Sequence, residues 1–237
     1  MQNILFRANS SSAIGTGHIM RDFVLADQYR DANIIFATQE LPGNINHKIE
    51  ERNYAIEILN SNDLEELISI IEKCSIDMII IDHYGIDYNF EKALKEITNV
   101  TIFVLDDTYE KHYCDILLNH NVYGDTIKYK SLVPENSEIR CGSKYTLLRN
   151  EFIKEKQKGR QNKNDNNQLN VFISMGGTDH SNISIQILEV LKETPSIYAH
   201  VVTTTANKRL KELETVSYTH LRAHETPEHL VCRLLLE

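Results

Sequence analysis

Short apolar runs alternate with amphipathic stretches over the first part of the chain. Ile4-Leu5-Phe6-Arg7, Asn33–Ala37, Tyr54–Leu59, Asp77–Asp82 and Val100–Leu105 read as strands. Met78-Ile79-Ile80-Ile81 is continuously apolar, which suits a strand covered on both faces of a parallel sheet. Between these runs the spacing turns helical. Ile19, Met20, Phe23 and Val24 begin one such pattern. In 62–74, Leu64, Leu67, Ile68 and Ile71 make one apolar stripe, with Asn62 placed to cap. Asp63, Glu65 and Glu66 crowd its first turn, where the helix dipole favours anions. The alternation predicts an α/β fold with a parallel sheet and right-handed crossovers.

The stretch from Lys154 to Gln168 is polar throughout and has no apolar surface to bury, so it reads as a linker or loop. The pattern then restarts. Leu169–Ser174 predicts a strand, Met175–Thr178 a glycine-containing turn and Ile183–Lys192 a helix. Ile197–Thr203 and Ala206–Glu214 follow as strand and helix. Two strands and two helices are half of a Rossmann-like unit and too little for an independent core. From Thr215 the α/β pattern stops, and His220, His224 and His229 fall close together in a stretch that reads as a non-native tail. The expected organisation is a Rossmann-like domain over 1–153 carrying the catalytic loop and a linker over 154–168. A partial nucleotide-binding domain over 169–214 and the tail over 215–237 complete it.

Composition acts by exclusion. The 237 residues are 41% hydrophobic and carry a net charge of −9. That balance supports a real core and argues against a broad nucleic-acid surface. Cys74, Cys114, Cys141 and Cys232 show no CxxC spacing and read as free thiols of a reducing cytoplasm. No run approaches the ~20 apolar residues of a membrane span, and no basic-then-apolar leader opens the chain. The histidines near the end lack an HExxH arrangement, so no metal is expected there.

Candidate chemistry concentrates in Gly15-Thr16-Gly17-His18, between the first strand and the first helix. Two glycines allow backbone angles and close approaches that a Cβ would block. The N–H groups of the helix start can face an anion, and an imidazole there exchanges a proton near neutral pH. Arg7 and Arg21 are cations near the loop that could pair with a diphosphate or form surface ion pairs. Tyr84 follows a buried strand, where residues face the ligand crevice of a parallel sheet. His83 beside it reads as a structural histidine. Asp106 and Asp107 invite a metal, but adjacent residues on an extended strand point opposite ways. Gly176, Gly177 and Thr178 repeat the strand–glycine–helix arrangement and could supply N–H groups and a hydroxyl to phosphate or ribose.

These motifs resemble a known family. Phe6-Arg7-Ala8-Asn9-Ser10-Ser11-Ser12, Ile14-Gly15-Thr16-Gly17-His18, Arg21, Ile81-Asp82-His83-Tyr84-Gly85, Asp106-Asp107, Asp115–Asn119, Arg140-Cys141-Gly142 and Met175–Asp179 stand in the right order. Over roughly residues 1–214 the chain is similar to the nucleotide-sugar hydrolases of pseudaminic acid biosynthesis. They act on a UDP-linked 2,4-diacetamido-2,4,6-trideoxy sugar. Asn9 departs from the pattern, where an aspartate is expected.

The resemblance implies a GT-B-like fold of two Rossmann-like domains, the second incomplete here. It implies His18 as general base for water attacking the anomeric carbon, with inversion and release of UDP. It implies no metal and no cofactor, a cytoplasmic enzyme, taken as monomeric, and a role in flagellin glycosylation. Family members carry a further substrate-binding serine-rich loop later in the second domain, and no such segment is present before Glu214. The rival readings are a GT-B glycosyltransferase with a UDP-sugar donor and a non-catalytic nucleotide-sugar binding protein.

Overall fold

The computed structural model describes residues 1–157, 169–176, 178–192, 194, 197–204, 207–218 and 230–235. They fall into two units, Met1–Lys158 and Gly159–Glu237. The first unit opens with β1 (Gln2–Ala8), α1 (Gly17–Ala26), β2 (Ala32–Thr38), α2 (Asn46–Glu51), β3 (Ala55–Ile58) and α3 (Leu64–Lys73). It continues with β4 (Met78–Asp82), α4 (Tyr88–Thr98), β5 (Thr101–Leu105), β6 (Ile116–Asn119), α5 (Thr126–Tyr129), β7 (Glu138–Cys141) and α6 (Asn150–Gln157).

The seven strands form one sheet in the order β3-β2-β1-β4-β5-β6-β7, every pair parallel. The chain runs outward from β1 to β3, then returns to β4 on the other side of β1. The gap between β1 and β4 is therefore the switch point, where open α/β sheets bind ligands at the carboxyl ends of their strands.

Side-chain alternation along each strand sorts the core into two layers. Leu5, Ile35, Ile79, Ile81 and Val104 pack with Leu67 and Ile71 of α3 and Leu94 of α4. Ile4, Phe6, Phe36, Ile80 and Phe103 pack with Ile19 and Phe23 of α1 and Ile49 of α2. Each fully buried side chain of this kind contributes about 1.5–3 kcal/mol, so both faces of the sheet are firmly covered. The same alternation fixes the chemistry. Ala8 pairs with Asp82 in register, and Asp82 shares the face of Ile80, toward α1. Arg7 shares the face of Leu5, toward α3.

Several elements differ from the sequence expectation. Strands β6 and β7 are only four residues each, too short to stand out as apolar runs. Asp63, not Asn62, holds the N-cap position of α3 and makes no side-chain capping bond, while the Asn62 side-chain oxygen accepts from the Arg7 guanidinium. Glu66 folds back to accept from the backbone N–H groups of Asn60 and Ser61 at 2.8 and 3.0 Å. The expected linker begins as helix: α6 runs to Gln157, with Glu151 in its first turn and Lys154 and Lys156 in its last, matching the helix dipole. The rest of that linker, 158–168, lies outside the described residues.

The second unit comprises β8 (Leu169–Ser174), α7 (Ile183–Leu191), β9 (Ile197–Thr203), α8 (Leu210–Tyr218) and β10 (Leu230–Leu235). β8 and β9 pair parallel, and β10 adds antiparallel to the other edge of β9. A strand thus occurs within 215–237, where the sequence suggests none; the free edge of β9 offers unpaired N–H and C=O groups to it. The core here is small. Ile173, Ile185, Leu188, Ala199, Val201 and Leu213 are buried, while Ile187 and Leu191 are only partly covered.

Candidate functional site

The loop between β1 and α1 is tied to itself. Ser11 and Gly15 exchange backbone hydrogen bonds of 3.2 and 2.8 Å, and Ser11 Oγ accepts from the N–H groups of Ala13 and Ile14. Gly15 takes φ +86°, a conformation costly for any residue with a Cβ. Thr16 is the N-cap residue of α1 but makes no side-chain capping bond. A Cβ built on Gly15 or Gly17 would meet no protein atom within 4 Å. The face of the loop at these glycines is open.

On α1, His18, Arg21 and Asp22 lie three and four residues apart, on one side of the helix. That side meets Asp82 at the carboxyl end of β4. His18 Nδ1 lies 2.7 Å from Asp82 Oδ1, and Arg21 Nε lies 2.6 Å from Oδ2. Arg21 Nη2 donates to Oδ1 as well, making the pair bidentate. Arg21 Nη1 reaches toward Asp107 Oδ2 at 3.6 Å. Asp82 is 1% exposed. Burial alone would push its carboxyl up, but the hydrogen bonds from Arg21 and His18 outweigh burial and hold it below the usual carboxylate range. An ionised Asp82 can only accept. His18 Nδ1 therefore carries the proton, and Nε2 is left as the basic nitrogen. The 3.1 Å approach of Arg21 Nη2 to His18 Nδ1 is then two donors converging on one carboxylate.

Neighbouring groups complete the setting. Tyr84 is 65% exposed and meets the His18 ring edge-on at 5.1 Å between centroids. Its hydroxyl donates to Asp107 at 3.1 Å. Asp22 is fully buried, and neither of its oxygens has a hydrogen-bond partner among the described residues. Burial and the nearby charge of Asp82 push its carboxyl well above the usual carboxylate range. His120, just past β6, has a buried Nε2 with no hydrogen-bond partner among the described residues; burial and the Arg21 charge push its pKa down.

Of the residues singled out in the sequence, Gly15, Thr16, Gly17, His18, Arg21 and Tyr84 come together at the switch point. Arg7 does not join them. It is 1% exposed and donates to Asn9 Oδ1 at 2.9 Å, to the Ala37 carbonyl at 3.3 Å and to Asn62. Strand parity points it into the α3 layer, away from the His18 cluster, and burial there pushes its pKa down to about 10. Asn9 is its partner, and Asn9 Nδ2 also donates to Gln39 at 2.7 Å. His83 is held neutral, with its pKa pushed to about 4 by burial and by Arg7.

Asp106 and Asp107, just past the end of β5, take different partners. Asp106 accepts from Thr108, Tyr109 and Tyr129, whereas Asp107 faces Tyr84 and Arg21. Among the described residues, no group of three or more His, Cys, Asp or Glu side chains is arranged to hold a metal.

In the second unit Gly176 has φ +76° and an open Cβ direction. Asp179 accepts from the N–H groups of Ile183 and Ser184, both at 3.0 Å, and so caps α7. Thr178 lies in the same loop, and Gly177 lies outside the described residues. Sequence reasoning missed Asp82, Asp22 and His120 as members of the site. Asp82 carried a usable signal: it ends an apolar strand, on the parity that faces α1.

No protein-family profile matches the chain. It is 43% identical over 217 residues, 92% of this chain and 75% of the relative, to the UDP-2,4-diacetamido-2,4,6-trideoxy-β-L-altropyranose hydrolase of Campylobacter jejuni. An uncharacterized protein of Methanocaldococcus jannaschii is 31% identical over 188 residues, spanning 77% of this chain and 38% of that protein. A glycosyltransferase from Rickettsia africae has a similar fold, with a TM-score of 0.54 and 12% identity over 92% of this chain and 64% of its own length. The chain belongs to the family of the Campylobacter hydrolase.

Proposed function

We propose that the chain hydrolyses a UDP-linked 2,4-diacetamido-2,4,6-trideoxy sugar in pseudaminic acid biosynthesis, releasing UDP and the free sugar. The observation that carries this reading is the 2.7 Å contact of His18 Nδ1 with a buried, ionised Asp82. Family membership supplies the substrate class. His18 Nε2 takes a proton from water as the water oxygen bonds to the anomeric carbon. The bond from that carbon to the phosphate oxygen breaks, and its electron pair leaves with UDP. One displacement inverts the anomeric centre. Asp82 fixes the tautomer and stabilises the imidazolium as it forms. Arg21 and Tyr84 line the approach to His18, and the open Gly15–Gly17 face takes the sugar phosphate.

The reading extends to a GT-B organisation with an incomplete second domain, whose Gly176–Thr178 loop serves the diphosphate or ribose. It further takes the enzyme to be monomeric, cytoplasmic and independent of metal. The test is UDP release from the diacetamido substrate with no acceptor present. Release in water supports hydrolysis. Release only after adding an acceptor sugar would make the chain a transferase, and tight binding without turnover would make it a binding protein.

A further inference from the structure

A second concavity lies beside the His18 cluster, on the α4 side of β4 and β5. It is a cavity of about 300 Å³ and shares one wall, Tyr84, with the His18 site. Its floor is apolar, with buried Ile86 and Val104. Its rim carries Glu110 and Lys111, both exposed. Lys111 Nζ stands 4.2 Å over the Tyr88 ring. Among the described residues neither Glu110 nor Lys111 has an ion-pair partner.

The rim segment is anchored from below. His112 Nδ1 lies 2.7 Å from Glu91 Oε1, and Nε2 lies 3.6 Å from Asp106 Oδ1. Asp106 in turn accepts from the N–H groups of Thr108 and Tyr109 at 3.2 and 2.8 Å. The loop therefore presents Glu110 and Lys111 on a fixed base, as a preorganised subsite requires.

The chemistry of the walls is specific. Of the three carboxylates in the lining, Asp87 caps α4 and Asp106 accepts from Thr108, Tyr109 and Tyr129, which leaves Glu110 as the acceptor. Together with the cationic donor Lys111 and the apolar floor, it matches a secondary amide carrying a methyl group. The amide oxygen accepts from Lys111, its N–H donates to Glu110, and the methyl rests on Ile86 and Val104. We propose that this cavity is the subsite for the C4 acetamido arm of the substrate sugar. The inference rests on the hydrolase reading above, which supplies a sugar with two such arms. C4 lies across the ring from the anomeric carbon, so its arm can extend past Tyr84 while the anomeric carbon stays at His18. The arm at C2 is adjacent to the reacting carbon and too near His18 to do so.

The experiment compares two substrates on the full chain: the UDP-linked 2,4-diacetamido sugar and the analogue with a hydroxyl in place of the C4 acetamido group. Lys111→Met removes the donor. Glu110→Trp removes the acceptor and fills the cavity mouth. Each should raise KM for the diacetamido sugar about 10–100-fold, the size expected for a lost charged hydrogen bond, with kcat within a fewfold. Neither should change KM for the C4-hydroxyl analogue, nor inhibition by UDP. Equal effects on both substrates, or no effect on either, would overturn the subsite while leaving hydrolysis intact. A wild-type chain that releases UDP from neither substrate would overturn the hydrolase reading, and the subsite with it.

Discussion

His18 and Asp82 are 64 residues apart in sequence and 2.7 Å apart in space. The contact follows from the sheet. Asp82 pairs with Ala8 at the carboxyl ends of β4 and β1, and the loop leaving β1 delivers His18 on the first turn of α1. A carboxylate at this place, on this strand parity, decides which imidazole nitrogen is basic.

Asp82→Asn should test that dependence. The amide can donate where the carboxylate only accepts, so it permits the tautomer with its proton on Nε2. The expected result is a fall in kcat on the order of 10²-fold or more, with UDP binding changed little. Steady-state kinetics and UDP inhibition measure the two separately.

The two loop glycines should respond differently to alanine. Gly15→Ala forces a Cβ onto φ +86°, at a cost of roughly 1–2 kcal/mol, and should lower the melting temperature. Gly17→Ala meets no protein atom within 4 Å and sits on a helix, so the melting temperature should hold or rise slightly. Its KM should rise, because the methyl group occupies space assigned to substrate. Thermal unfolding and KM, measured on both variants, check the contrast.

The buried His112 gives stability a pH dependence. Burial alone would lower its pKa, but the flanking Asp106 and Glu91 carboxylates raise it to about 9. The folded value lies above the unfolded value of about 6.5. The stabilisation is therefore complete below about pH 6.5 and is lost as pH rises through about 9. Melting temperature should fall across that window, and His112→Gln should flatten this part of the profile.

Hydrolysis should survive EDTA. Both oxygens of Asp106 are taken by Thr108, Tyr109 and Tyr129, and Asp107 is turned to Tyr84 and Arg21. The two carboxylates do not converge on one ion. Loss of turnover on chelation, restored by Mg²⁺ or Mn²⁺, would contradict the proposed roles of these residues.

The first five strands and the helix 64–73 were legible because continuous apolar runs and a helical stripe are strong local signals. β6 and β7 were not, since four residues such as Ile116–Asn119 carry too little pattern to separate strand from loop. The glycine loop and His18 could be read locally. Arg7 could not, because its direction depends on which face of the sheet receives α3. Asn62 looked like a cap in isolation; the buried guanidinium of Arg7 captured its oxygen. Asp22 resembled an ordinary polar position of α1, and only the packed helix shows it buried with no hydrogen-bond partner among the described residues.

His18 is proposed here as the base that activates water. UDP release from the diacetamido substrate, without acceptor, should be compared between wild type and His18→Asn at saturating substrate. The account predicts that wild type releases UDP and that kcat falls about 10²–10⁴-fold in the variant, with UDP binding nearly unchanged. Turnover by His18→Asn within a fewfold of wild type would contradict it.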